Sequence, residues 1–73
     1  MADEVLIAQG LEALEGLISL ILEEALDRAV SRPPDDADER LLHLAELSQA
    51  GADLVVLAEA AALVLRRWPD AAA

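Results

Sequence analysis

Few residues in this chain can do chemistry, and most of those are carboxylates. Asp and Glu number 15 against five basic residues, all Arg, and a single histidine, His43. Two carboxylate pairs have a spacing that could grip a divalent cation: Glu12 with Glu15, and Glu24 with Asp27. Residues three apart share one side of a helix, and a carboxylate pair suits a hard ion such as magnesium. The two pairs lie twelve residues apart in the chain, about 18 Å by helical rise, and point in different directions. Within one chain they cannot converge; only two copies could bring them together. Nucleophilic chemistry has less to draw on. Ser19, Ser31 and Ser48 have no neighbouring base, and Cys, Lys and Tyr are absent, which leaves covalent and general acid–base catalysis almost without reagents.

The carboxylate pairs resemble those with which all-α nucleotide pyrophosphatases hold magnesium. The likeness is confined to Glu12, Glu15, Glu24 and Asp27, and it implies a metal-dependent helical-bundle enzyme as the alternative function. Carboxylate-bridged di-metal bundles need a Glu three residues before the histidine; position 40 is Arg. His43 is therefore read as a boundary histidine beside Glu24, Glu39 or Glu46. No catalytic, cofactor-binding or metal-ligating residue is assigned, and no cofactor is expected.

The elements that carry these residues are set by one interruption, Ser31-Arg32-Pro33-Pro34-Asp35-Asp36. Consecutive prolines cannot sit inside a helix, because each lacks an N–H donor and clashes with the preceding turn. Leu and Ala, strong helix formers, dominate both flanks. The chain thus reads as one helical-hairpin domain over 1–73: a helix at about 3–31, a linker at 32–35, a helix at about 36–68 and a frayed tail at 69–73. Asp3 can cap the first helix, and Asp36 with Glu39 can cap the second. Gly51 and Asp53 could mark a break in the second helix. The heptad pattern passes through Gly51 without a phase change, which favours a continuous helix.

Both helices carry an apolar seam whose spacing alternates between three and four, as left-handed helix packing requires. In helix one the seam is Ile7, Leu11, Leu14, Ile18, Ile21 and Ala25; in helix two it is Leu44, Leu47, Gly51, Leu54, Ala58, Ala61, Leu65 and Trp68. A short linker makes the helices antiparallel. Folding about the prolines then sets Ile18 against Gly51, Leu11 against Ala58, Ile7 against Ala61 and Ile21 against Leu47.

One hairpin cannot hide all the apolar surface. Hydrophobic residues make up 56% of the chain, and helix one is apolar around about 240° of its circumference, where a surface helix needs little over about 100°. Its polar strip is Gln9, Glu12, Glu15, Ser19, Glu23 and Asp27. Outside the seams, Leu6, Leu17, Leu20, Leu22 and Leu26 on helix one, and Leu42, Val55, Val56, Leu63 and Val64 on helix two, need cover. They are the expected interface, together with Trp68, read as a packing cap for the bundle end or an anchor for another protein. Seventy-three residues without cysteine seldom build a self-sufficient core, and association is the remaining staple. The expected fold is an all-α antiparallel two-helix hairpin that dimerises into a four-helix bundle.

Net charge of −10 opposes nucleic acid and anionic membranes, which need basic patches. The Arg side chains at helix ends, Arg28 and Arg32, Arg66 and Arg67, suit the helix dipole and face Asp36, Asp38 and Glu39 or Asp3 and Glu4, leaving no phosphate cradle. Glu59, ringed by apolar residues, is expected at a solvent edge. The acidic start, Met1-Ala2-Asp3-Glu4, is unlike a secretory signal. No membrane span is expected, since Val5 to Leu22 holds Gln9, Glu12 and Glu15, and the run from Leu54 to Leu65 is short and holds Glu59. A cytoplasmic interaction module follows: a regulator, antitoxin-like inhibitor, chaperone or scaffold whose partner is itself or another helical or basic protein. An acidic DNA mimic is a further reading of the same charge.

Overall fold

A computed structural model describes residues 2–72, with the side chains of Ala2 and Ala72 left aside; Met1 and Ala73 lie outside the described residues. The chain is an all-α hairpin. Helix α1 runs Ala2–Val30 and helix α2 runs Ala37–Arg67, unbroken at Gly51. Their ends follow local chemistry. Ser31 closes α1 by donating both its N–H and its hydroxyl to the Asp27 carbonyl, the latter at 2.7 Å. Asp36 opens α2, its carboxylate accepting from the Glu39 N–H at 3.0 Å, which satisfies one of the donors a helix start leaves over. Trp68 N–H donates to Val64 and ends α2. Residues 69–72, expected to fray, instead form a 3-10 turn, Pro69–Ala72, against the start of α1.

On α1 the seam is the one the heptads predict. Leu11 is buried, and Ile7, Leu14, Ile18, Ile21 and Ala25 are half-buried, with Ala8 the one further α1 residue among those described that is not exposed. On α2 the seam differs. It is His43, Leu47, Ala50, Leu54, Leu57, Ala61 and Val64, flanked by Ala60 and Ala62. Leu47, Leu54 and Ala61 stay, whereas Leu44, Gly51, Ala58, Leu65 and Trp68 lie outward. The helix has rotated by half the angle between neighbouring residues, about 50°. This exchange puts Leu57 inside in place of Ala58 and Ala50 in place of Gly51, filling the middle of the seam better. The cost falls at the linker end, where half-buried His43 replaces Leu44.

The register differs too. Arg28 pairs with Glu46 at 3.4 Å, Ile21 borders one cavity with Ala50 and Asp53, and Ile7 borders another with Trp68 and Ala71, where a tight hairpin would set Ile21 against Leu47 and Ile7 against Ala61. Helix α2 is thus displaced by about six residues, or about 9 Å along the axis. The cause is the linker. An extended Pro-Pro stretch rises about 3.1 Å per residue, so the chain runs past the end of α1 before α2 turns back. The first turns of α2 lie over the linker, with Arg40 and His43 beside Ser31 and Pro33. The molecule is accordingly 55 Å long, against about 46 Å for α2 alone.

Candidate protein-interaction surface

Only Leu11 and Ala61 are buried among the described residues, whereas fifteen large apolar side chains are exposed. Ten of the eleven residues named as interface from the sequence are among the fifteen: Leu6, Leu17, Leu20, Leu22, Leu26, Leu42, Val55, Val56, Leu63 and Trp68. Val64 is the correction. It is half-buried in the hairpin seam, carried there by the rotation of α2. The other five are Leu44 and Leu65, expected in the seam, and Val5, Val30 and Leu41, which are outside the expected interface. The signal for Leu44 and Leu65 was present: α2 contains two interleaved heptads one residue apart.

Those interleaved patterns organise the outer surface. On α1 a second stripe, Leu6, Gly10, Ala13, Leu17 and Leu20, sits one residue before the seam positions from Ile7 to Ile21, about 100° to one side, and ends at Glu24, which precedes Ala25. On α2 a second stripe, Leu44, Ser48, Gly51, Val55, Ala58, Ala62 and Leu65, sits one residue after each seam position, with Ala62 half-buried and the others exposed. The helices run in opposite directions, so these offsets of opposite sign fall on opposite faces of the hairpin. Each face joins an apolar stripe of one helix to a mixed flank of the other, polar in part and apolar in part. Beside the α1 stripe lie Leu42, Val56 and Leu63 of α2, exposed and apolar, with Glu46, Gln49 and Asp53 between Leu42 and Val56, where Gln49 donates to Asp53 at 2.9 Å. Beside the α2 stripe lie Leu22 and Leu26, then Glu15 and Ser19, of α1.

The total surface measures the same imbalance. The chain exposes 5629 Å² at 7.7 kDa, where a compact monomer of that mass exposes about 4,300 Å². The excess is about 1,300 Å² per chain.

The charged residues do not build a second kind of site. Glu12, Glu15, Glu24 and Asp27 are all exposed, and among the described residues no three His, Asp or Glu side chains come together at one point. Glu24, Asp27 and His43 border one shallow cleft, but Arg28 and Arg32 share its wall and already supply the positive charge a cation would bring. Arg28 is engaged by Glu46, and Arg32 reaches Asp35 at 3.5 Å, rather than the first turn of α2. At the other end Arg67 and Glu4 border one cavity, and the Arg67 guanidinium stands 5.7 Å from the Trp68 ring centroid, within cation–π range. Glu59 is exposed.

Both helices are long and apolar enough to cross a membrane by length and composition: an 18-residue window has a mean hydropathy of 1.8 within Asp3–Val30 and of 1.5 within Ala37–Arg67. The run from Leu54 to Leu65, short when read alone, is part of a 31-residue helix. Comparisons with family models, curated proteins and solved structures find no match to this chain.

Proposed function

We propose that this chain is a non-enzymatic protein-interaction module, a small acidic hairpin that self-associates and works by presenting helices to a partner. Regulator, inhibitor, chaperone and scaffold all fit that description, and a soluble, cytoplasmic setting goes with it. The observation that supports it is that fifteen large apolar side chains are exposed among the described residues and one, Leu11, is buried. Monomeric proteins seldom expose apolar patches of that extent. A pair of chains carries an excess of about 2,600 Å², inside the range of obligate homodimer interfaces. A two-fold pair of hairpins would form a four-helix bundle. Light scattering over a concentration series tests this. The expected particle mass is a multiple of 7.7 kDa; a monomer at about 100 μM, far above the dissociation constant of a stable homodimer, would sink the proposal.

The hydropathy of the two helices favours a second reading, a membrane-embedded hairpin. Its difficulty is the polar strip, which sets exposed Gln9, Glu12, Glu15, Ser19, Glu23 and Asp27 along the whole of α1 and Asp53 and Glu59 on α2. An acidic side chain at mid-bilayer costs about 2.5–3.5 kcal/mol on the insertion scale, and several would have to enter together. In a soluble assembly the same strip stays in water. Titration calorimetry with magnesium and manganese addresses the enzyme alternative, for which saturable micromolar binding would be needed.

A further inference from the structure

Glycine weakens a helix interior relative to alanine, yet Gly10 and Gly51 stand mid-helix without the positive φ that would call for glycine. A Cβ at either position would meet nothing within 4 Å, so the hairpin itself makes no use of their smallness. Both lie on the outward stripes. Two copies of α1 laid antiparallel along the first stripe bring Gly10 opposite Leu20 and Ala13 opposite Leu17. Two copies of α2 laid antiparallel along the second bring Gly51 opposite Val55 and Ala62 opposite Leu44. At each of these levels a small residue meets a larger one, which lets backbones approach; the same registers set Leu6 against Glu24 and Ala58 against Ser48, so the self-match that a two-fold contact between identical chains requires holds over the middle of the first stripe and part of the second. Gly16 lies on neither stripe and has no such account.

We infer that the hairpin is two-sided, and that copies of this chain join through one two-fold interface on α1 and another on α2, giving even-numbered particles of at least four chains. This rests on the self-association proposed above and extends it. The stripes face opposite ways, so a single closed pair covers one and leaves the other wet. The area is sufficient: an excess of about 1,300 Å² per chain, which one obligate contact would also absorb, divides into two contacts of about 650 Å² from each partner, at the low end of standard size.

Native mass spectrometry and light scattering on the full chain test it with Leu17→Glu on the first stripe and Val55→Glu on the second; Leu17 is 43% and Val55 57% exposed, outside the hairpin seam. The expected wild-type mass is at least four times 7.7 kDa; each single variant falls to two chains and the double variant to one. A wild-type monomer overturns the self-association reading itself. A wild-type dimer, or a particle that ignores one of the two substitutions, overturns only the second interface. If a Glu variant loses its helical circular dichroism, Ala13→Cys with Ala58→Cys and a short bismaleimide decides instead: cross-linked ladders beyond two chains support the inference, and a ladder ending at two refutes it. Flotation with phosphatidylcholine vesicles in place of a discrete soluble particle refutes it as well.

Discussion

The displaced register can be tested with a disulfide. Ala25 and Ala50 are half-buried on facing seams and border one cavity with Arg28 and Glu46. The chain has no cysteine of its own, so Ala25→Cys with Ala50→Cys introduces a single possible pair. The closed loop holds about 25 residues, and the chain-entropy relation gives about 3.5 kcal/mol of stabilisation at 25 °C. Engineered bridges often deliver less; half of that figure still raises the melting temperature of a chain this size by about 7–14 °C. The control is Ile18→Cys with Gly51→Cys, neighbours if the chain folded tightly about its prolines. In the observed register they are about six residues out of step and Gly51 lies on the outer stripe, so their Cα atoms exceed the roughly 7 Å a disulfide can span. Both variants are oxidised at low concentration, the intramolecular bond is read by intact mass after alkylation, and melting is followed by circular dichroism with and without reductant. Rapid bridging of the 18–51 pair together with failure of the 25–50 pair would refute the register and its attribution to the extended linker.

Leu11→Ala removes the most buried side chain, 3% exposed; the expected loss is about 2–5 kcal/mol, measured by urea denaturation at fixed protein concentration, and a loss under about 1 kcal/mol would mean that the seam is not the core. Asp36→Ala deletes the carboxylate that accepts from Glu39 N–H and is expected to cost about 0.5–2 kcal/mol, while Asp35→Ala, one residue outside the cap, should cost much less in the same assay. Association should tighten with salt. Each chain carries −10, like charges are screened over about 10 Å at 0.1 M, and apolar contacts persist; sedimentation equilibrium at about 0.02 and 0.3 M salt reads the change, and weakening at high salt would point to ion pairs across the interface.

Much of the hairpin was legible without coordinates. The Pro33-Pro34 break, Asp36 as the cap of α2, the helical run through Gly51 and the whole α1 seam all follow from local rules, because each depends on residues within one or two turns. The α1 seam was unambiguous because its neighbouring heptad contains Gly10 and Ala13, too small to compete with Leu11, Leu14 and Ile18. Helix α2 offered two seams of similar quality one residue apart, and periodicity cannot rank them. His43 at one end of the true seam argued for the wrong choice. From spacing alone Val64 therefore falls outward and Leu44 and Leu65 inward, the reverse of their places in the fold.

The sequence by itself determined that there are two helices, where they begin and end, and that they carry more apolar surface than one contact between them can cover, because composition and spacing act locally. Only the tertiary structure decided which side of α2 meets α1, how far the helices slide past each other, and that the remaining stripes fall on opposite faces. Those outcomes depend on the reach of an extended linker and on comparing two whole packings that differ by a few side chains. No local signal carries that comparison.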